Sequence, residues 1–483
     1  MKQTINFRNM GMQPCLAQAR LALLVIGFFA SGFSAFLLFK PEYPYSWYDH
    51  QRVMQMLWLT LSMVFLPFTS EDTRHRLLGI MAMLAVAGVA LPLLHGVSPR
   101  AMYIEALSLA LLVIAASWWA GLIRAHGLSD ALLLSAQLAI AWYVFLSLLS
   151  LAALLVVGVL PNPFTFLDGF SNPRFFGAWI TLSWPLLLLR PRILEHAGAR
   201  RARLWGAALF VLLALWWALA FFSGTRATWL AAAVTLVLTA LCSRSARSLA
   251  VRAALAIFTG FLLHQMLFVL MPAWATGLDS ANALDRLREG MALSSRDVLW
   301  KLAWQGIVER PWFGAGPMMF SATNNGVAST THNITLQLAY EWGVPFALVV
   351  IACTGRALWR QFLLCRTDGG PVRLVLWMCI VGGLVEAQFD GLLSAPHSQF
   401  LFTVLCAWLL SLDAPAQPRL DGWRARAWPV ARFVPLAVAL LLWWSVRPEL
   451  SRLEAWEYEC FKLTGAGHFQ PRYWGQGVIF PDN

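Results

Sequence analysis

Charge is what this chain has least of. Among 483 residues only 12% are Asp, Glu, Lys or Arg, against 59% apolar, and the mean hydropathy is +0.63. That scarcity excludes an ordinary soluble domain and predicts a polytopic membrane protein. Acidic residues are the scarcer kind, 24 against 36 basic, for a net charge of +12. The arginines are scattered through short loops between apolar runs, which reads as a topology signal and excludes nucleic acid as a partner. Cysteine is sparse and odd in number at seven, with Cys242, Cys353, Cys379 and Cys406 in or beside apolar runs. No disulfide framework and no metal-ligand spacing follow from such a set. Also missing are a DxD aspartate pair, a P-loop, HExxH and GxSxG. Neither an internal repeat nor a low-complexity tract is present.

What is there is hydrophobic runs. Spans are expected at 21–39, 53–68, 77–95, 103–123, 131–159, 177–189, 204–222, 228–242, 253–271, 333–354, 374–389, 400–412 and 430–446. This makes an all-α polytopic membrane domain over 1–446 with about 12–13 spans, followed by a tail at 447–483. Alternate loops hold Arg74 and Arg76, Arg124, the group Arg190 to Arg203, Arg244 to Arg252, Arg356 to Arg373 and Arg419 to Arg432. The opposite short loops carry only Lys40, Arg52, Arg100, Arg174 and Arg226. The positive-inside asymmetry therefore places the large loop 272–332 in the periplasm, and with thirteen spans the tail as well. Tryptophans near span ends, such as Trp47, Trp118, Trp274 and Trp312, are expected to anchor in an interfacial belt.

One stretch, Ser294 to Phe346, mixes charge, glycine and aromatics within this apolar chain. Its opening predicts a short amphipathic helix: Ser294 can cap, Asp297 sits as in a capping box, and Val298, Leu299, Leu302, Ala303 and Ile307 supply an apolar face. Arg310-Pro311 should end it, because the residue before a proline is pushed out of helical geometry. From Asn333 the pattern becomes a membrane helix with one polar stripe, since Asn333, Gln337 and Glu341 recur every four residues. A carboxylate in that setting is a functional candidate, as intramembrane charge is costly.

The run through Arg296, Glu309-Arg310-Pro311, Gly314-Ala315-Gly316, His332-Asn333, Leu336-Gln337 and Glu341-Trp342-Gly343 resembles the signature region of the bacterial O-antigen ligase superfamily. That family groups lipopolysaccharide O-antigen ligases, pilin-type protein O-oligosaccharyltransferases and O-antigen polymerases. The resemblance extends upstream to Ser223-Gly224-Thr225-Arg226 and, more loosely, to Asn172-Pro173-Arg174-Phe175-Phe176-Gly177. It implies a multi-pass enzyme of the bacterial inner membrane that takes a glycan from undecaprenyl diphosphate at the periplasmic face. The implied partners are that donor, the bilayer, and an acceptor that is a pilin-like protein, a lipid A core or a growing glycan. An aromatic-rich tail beyond Arg447 and the NPRFFG loop tilt the reading toward a protein acceptor.

Arg226 and Arg296, joined by Arg174, are the candidates for gripping the diphosphate, because a planar guanidinium pairs its donors with phosphate oxygens. The competing readings are a headgroup-snorkelling arginine for Arg226 and a surface charge for Arg296. Arg296 also gains from the helix start beside it, where free N–H groups and the dipole favour anions. His332 is the catalytic candidate, since neutral imidazole can accept a proton from an attacking hydroxyl and the resemblance places a functional histidine at this HN motif. Asn333, Gln337 and Glu341 are supporting residues, and Glu341 equally suits a purely helix-locking role. The chemistry is expected to need neither metal nor cofactor. A transporter or lipid flippase is the non-enzymatic alternative, disfavoured because such proteins place charges near mid-membrane and show repeat symmetry.

Overall fold

The computed structural model describes residues 46–65, 99–192, 198–278, 295–323, 325–367, 370–413, 428–464, 472–475, 477 and 479. All regular elements among them are helical. They are α1 (Trp47–Phe65), α2 (Pro99–His126), α3 (Ser129–Val157), α4 (Pro173–Ser183), α5 (Gly198–Ser223), α6 (Arg226–Ala240) and α7 (Arg244–Thr276). There follow α8 (Arg296–Glu309), α9 (Ile334–Trp342), α10 (Val344–Thr367), α11 (Pro371–Glu386), α12 (Pro396–Ser411), α13 (Trp428–Leu450) and α14 (Leu453–Thr464). Five of these, α2, α3, α5, α7 and α10, are both long and apolar enough to cross a membrane. The expected spans at 21–39 and 77–95, and the loop arginines Arg286 and Arg288, lie outside the described residues.

The chain is thus an all-α, multi-pass membrane protein, with several departures from the periodicity. The span expected at 333–354 is two helices, because Gly343 takes φ 86° and a Cβ there would sit 2.2 Å from the Trp312 carbonyl oxygen. Only glycine allows the chain to turn so close to a neighbouring backbone. The expected 177–189 span leaves α-helical geometry after Ser183 and ends as a 3₁₀ turn, Trp184–Leu188, with Pro185 inside it. In α7 a π-turn, Gln265–Leu270, precedes Pro272, which relieves the hydrogen bonding that proline cannot supply. Trp274 and Trp312 are exposed as an interfacial belt requires, whereas Trp118 is buried at 2% exposure in the core. The hydropathy pattern does not separate the two situations, since a membrane core and a lipid face are equally apolar.

Two large apolar cores, beside a small cluster of Ala106, Ala110 and Trp342, make up the described interior. The larger gathers α3, α4, α5, α7, α11 and α12 around Trp179, Trp216, Trp217, Trp377 and Trp408, and the smaller joins α1, α2, α8 and α13 to Tyr473 and Trp474. Helices α4, α6 and α11 pack on one another in the first. They approach closely at Gly177, where a Cβ would meet the Thr228 hydroxyl at 2.6 Å and Thr225 at 2.7 Å. Small residues at helix crossings are what allow such contact inside a bilayer.

Candidate functional site

The three arginines singled out from the sequence all stand at helix starts. Arg174 is the second residue of α4, whose cap Asn172 accepts the Arg174 backbone N–H at 2.9 Å. Arg226 opens α6, directly after the turn at Gly224, which takes φ 67°. Arg296 opens α8. The expected capping box there is not what starts the helix: Ser294 lies outside the described residues, and the N-cap Ser295 is left-handed at φ 61° with no side-chain cap bond. Helix α8 ends at Arg310 as expected and buries Leu299, Ala303 and Ile307, but Val298 lies 48% exposed on its outer side. Arg310 is exposed.

His332 sits two residues before α9 and takes φ 49°. Among the described residues only Ser295, Met318 and His332 are non-glycine residues with positive φ. Such a conformation costs on the order of 1–3 kcal/mol and survives where its surroundings overdetermine it. They do so here. Trp300 of α8 donates to the Thr331 carbonyl at 3.1 Å, the Asn333 side chain caps α9 through Leu336 N–H at 2.9 Å, Ile334 N–H donates to the Ala387 carbonyl at 2.9 Å, and Thr335 donates to Gln388 at 2.8 Å. Asn333 is therefore the cap of α9 and not part of a membrane-buried stripe.

Those last two contacts dock the histidine loop on the turn after α11, and this turn supplies a residue the motifs did not flag. Asp390 Oδ1 lies 3.5 Å from His332 Nδ1, and its Oδ2 lies 4.0 Å from Arg296 Nη2. Arg174 and Arg226 are near enough for their charges to act on Arg296, and Arg174 and Arg296 act on His332. All four predicted groups therefore converge, with three guanidiniums and three helix starts around one nearby carboxylate. Burial pushes His332 down to about 4, opposed by Asp390 and reinforced by Arg174 and Arg296, so its imidazole is neutral at pH 7. Burial also lowers Arg296, again opposed by Asp390 and reinforced by Arg174 and Arg226. The Nε of Arg296 and Oδ2 of Asp390 are buried without a hydrogen-bond partner among the described residues. A buried, unmet Nε donor on a half-buried guanidinium inside a cationic cluster is the chemistry of an anion site.

Beneath this cluster, Glu386 at the end of α11 is fully buried. It accepts a hydrogen bond from Thr181 of α4, and Thr228 of α6 lies 3.3 Å from its Oε1. One side chain thereby ties α4 and α6, which carry Arg174 and Arg226, to α11, whose following turn holds Asp390.

Gln337 and Glu341 do share a buried face of α9, but they point away from His332's partners. Glu341 Oε2 accepts from Arg472 at 2.7 Å, and Gln337, with its amide oxygen turned inward, accepts from the same guanidinium. Glu341 Oε1 also accepts from Phe320 N–H at 3.3 Å. Tyr473 and Trp474 of the tail are buried, so these aromatics present no face to an acceptor.

The family model described as O-antigen ligase matches residues 208–351. That stretch, 144 of 483 residues, is similar to the O-antigen ligase family. Within the matched stretch fall Arg226, Arg296, His332, Asn333, Gln337 and Glu341, while Arg174, Glu386, Asp390 and Arg472 lie outside it. A chitin synthase of Meloidogyne artiellia is 31% identical over 137 residues, which is 27% of this chain. The chain spans only 7% of that relative's length.

Proposed function

We propose that the protein transfers an oligosaccharide from undecaprenyl diphosphate to a hydroxyl of a periplasmic acceptor at the bacterial inner membrane. The observation that carries this reading is the meeting of Arg174, Arg226 and Arg296 around the His332–Asp390 pair, with a buried Arg296 donor left open. The arginines and helix starts hold the donor's diphosphate and stabilise the charge it gains as it leaves, a preorganised electrostatic effect that needs no cofactor. Asp390 faces Nδ1 of His332, which keeps a proton there and leaves Nε2 with a free lone pair. As the acceptor oxygen attacks the anomeric carbon, Nε2 takes the hydroxyl proton. The bond from that carbon to the phosphate oxygen breaks, and its electron pair stays with undecaprenyl diphosphate. Direct displacement inverts the anomeric configuration.

Arginine placement supports a site facing the periplasm, because the loop leading into His332 belongs to the basic-poor side of the chain. For the acceptor, a pilin-like protein and a lipid A core both offer the required hydroxyl. Substituting His332 or Arg226 by alanine in protein that inserts normally abolishes transfer on this reading, and near-normal transfer refutes it. Pilin mass compared with lipopolysaccharide banding in a deletion strain then identifies the acceptor.

A further inference from the structure

The tail residues Arg472 to Gly475 are held by more buried polar contacts than their position in the chain would suggest. Arg472 is 2% exposed and meets Glu341 of α9 at 2.7 Å and Glu105 of α2 at 3.4 Å, besides Gln337. The Tyr473 carbonyl accepts from Arg52 of α1 at 2.9 Å, and its hydroxyl accepts from Ser108 of α2 at 3.1 Å. Trp474 donates to Glu449 of α13, and Gly475 N–H donates to Asp49 of α1 at 2.6 Å. Four consecutive residues thus each enter a separate polar receptor. The buried charge is matched on both sides, which is the condition under which such a contact holds a geometry.

Both arms of this arrangement end at the proposed catalytic pair. Along one arm, Arg472 grips Glu341 and Gln337 on α9, the helix whose N-cap Asn333 directly follows His332. Along the other, Arg52 donates to the carbonyls of Tyr473 and Arg472 and also, at 2.7 Å, to the Ser394 carbonyl. Tyr48 donates to that carbonyl as well, at 3.1 Å. Ser394 closes the turn that begins at Asp390, its N–H bonding the Gly391 carbonyl at 2.9 Å. His332 and Asp390 come from segments far apart in sequence, yet each is tied to the same tail residues within a few bonds.

We propose that residues 472–475 are a latch that sets the distance between His332 and Asp390, with Arg472 as its positioning residue. This rests on the reading of His332 and Asp390 given above. Arg472 touches neither substrate nor the reacting atoms. It fixes the α9 side of the pair, while the backbone it shares with Tyr473 fixes the Asp390 side. The diphosphate clamp stands on α4, α6 and α8; α8 shares the smaller apolar core with Tyr473 and Trp474, but none of the three makes a described polar contact with residues 472–475, so loss of the latch's polar contacts is expected to leave donor binding in place.

The test uses the full chain with Arg472→Ala and Arg472→Lys. Expected is a fall in kcat of at least tenfold for Arg472→Ala at unchanged KM for the undecaprenyl-diphosphate donor, with partial recovery in Arg472→Lys, which keeps the charge facing Glu341. In the same variant the ring signal of isotope-labelled His332 shifts. If Arg472→Ala does not insert, Arg472→Gln is measured in its place, and kcat is expected to fall at unchanged donor KM. Normal turnover in either experiment overturns the latch. A joint loss of donor binding, turnover and thermal stability also overturns it, leaving a scaffold contact only. The two readings fail separately: normal transfer by His332→Ala removes the catalytic role of His332, whereas the ring-signal shift reports the latch without any turnover.

Discussion

Arg296, half-buried, and Arg472, fully buried, are both arginines beside carboxylates, and they differ in what is left unmet. Arg472 has Glu341, Glu105 and Gln337 on its guanidinium. Arg296 has one carboxylate oxygen at 4.0 Å, two further arginines nearby and an Nε without a partner. A saturated cluster has nothing to offer a ligand, so its energy goes into holding helices. An arginine-rich cluster that is short of acceptors carries a cost its folded chain does not itself relieve, and an incoming phosphate relieves it.

The contrast can be broken most decisively at the open cluster. His332→Ala is expected to lower kcat by about 10²–10⁴, and Arg296→Ala by about 10²–10³, in a transfer assay on inserted protein. Thermal stability should hardly fall in Arg296→Ala, because relief of repulsion from Arg174 and Arg226 offsets the lost contact with Asp390. At the closed cluster the pattern reverses. Glu341→Gln leaves Arg472 with Glu105 as its remaining carboxylate and is expected to cost about 1–3 kcal/mol in a denaturation measurement, and the double change with Arg472→Met should recover part of it. A stable Glu341→Gln protein would show that the pairing is not what holds α9.

Glu386 lies between these extremes, buried but held by hydroxyls. Glu386→Leu leaves Thr181 and Thr228 unsatisfied and is expected to destabilise by about 1–3 kcal/mol, whereas Glu386→Gln retains most of the stability. Equal loss in both variants would mean that charge, not hydrogen bonding, is what matters at this position.

The smallest effect expected is on pH dependence. His332 titrates near 4 in the folded protein instead of near 6.5, so the neutral, proton-accepting form persists on acidification. The acid limb of kcat/KM should therefore fall near pH 4, and a midpoint near 6.5 would show an exposed imidazole. Its contribution to stability has the matching sign. Because the unfolded chain takes up the proton first, that contribution is complete above about pH 6.5 and is lost as pH falls toward 4.

Much of the site was legible in the linear chain. Arg226, Arg296 and His332 announce themselves because polar groups between apolar runs are few, and Arg174 because it stands in a loop otherwise poor in basic residues. Asp390 was not legible, since a single aspartate in a short turn carries no spacing that marks it. Arg472 was missed for a related reason: a tail arginine looks solvated until the chain folds back on Glu341. Glu341 itself was recognised as costly, but nothing in its four-residue spacing named the partner.

The residue order alone determined an all-helical membrane protein, because apolar runs of that length have no other stable form in a bilayer. It also determined the short helix that begins at Arg296, through local periodicity and the proline that ends it. Only the tertiary structure decided which buried charges are paired and which are left open, and where α9 breaks from α10. Those outcomes depend on groups from 31 positions apart (Trp312 and Gly343) to 367 apart (Glu105 and Arg472) coming into contact, and such meetings leave no trace in local composition.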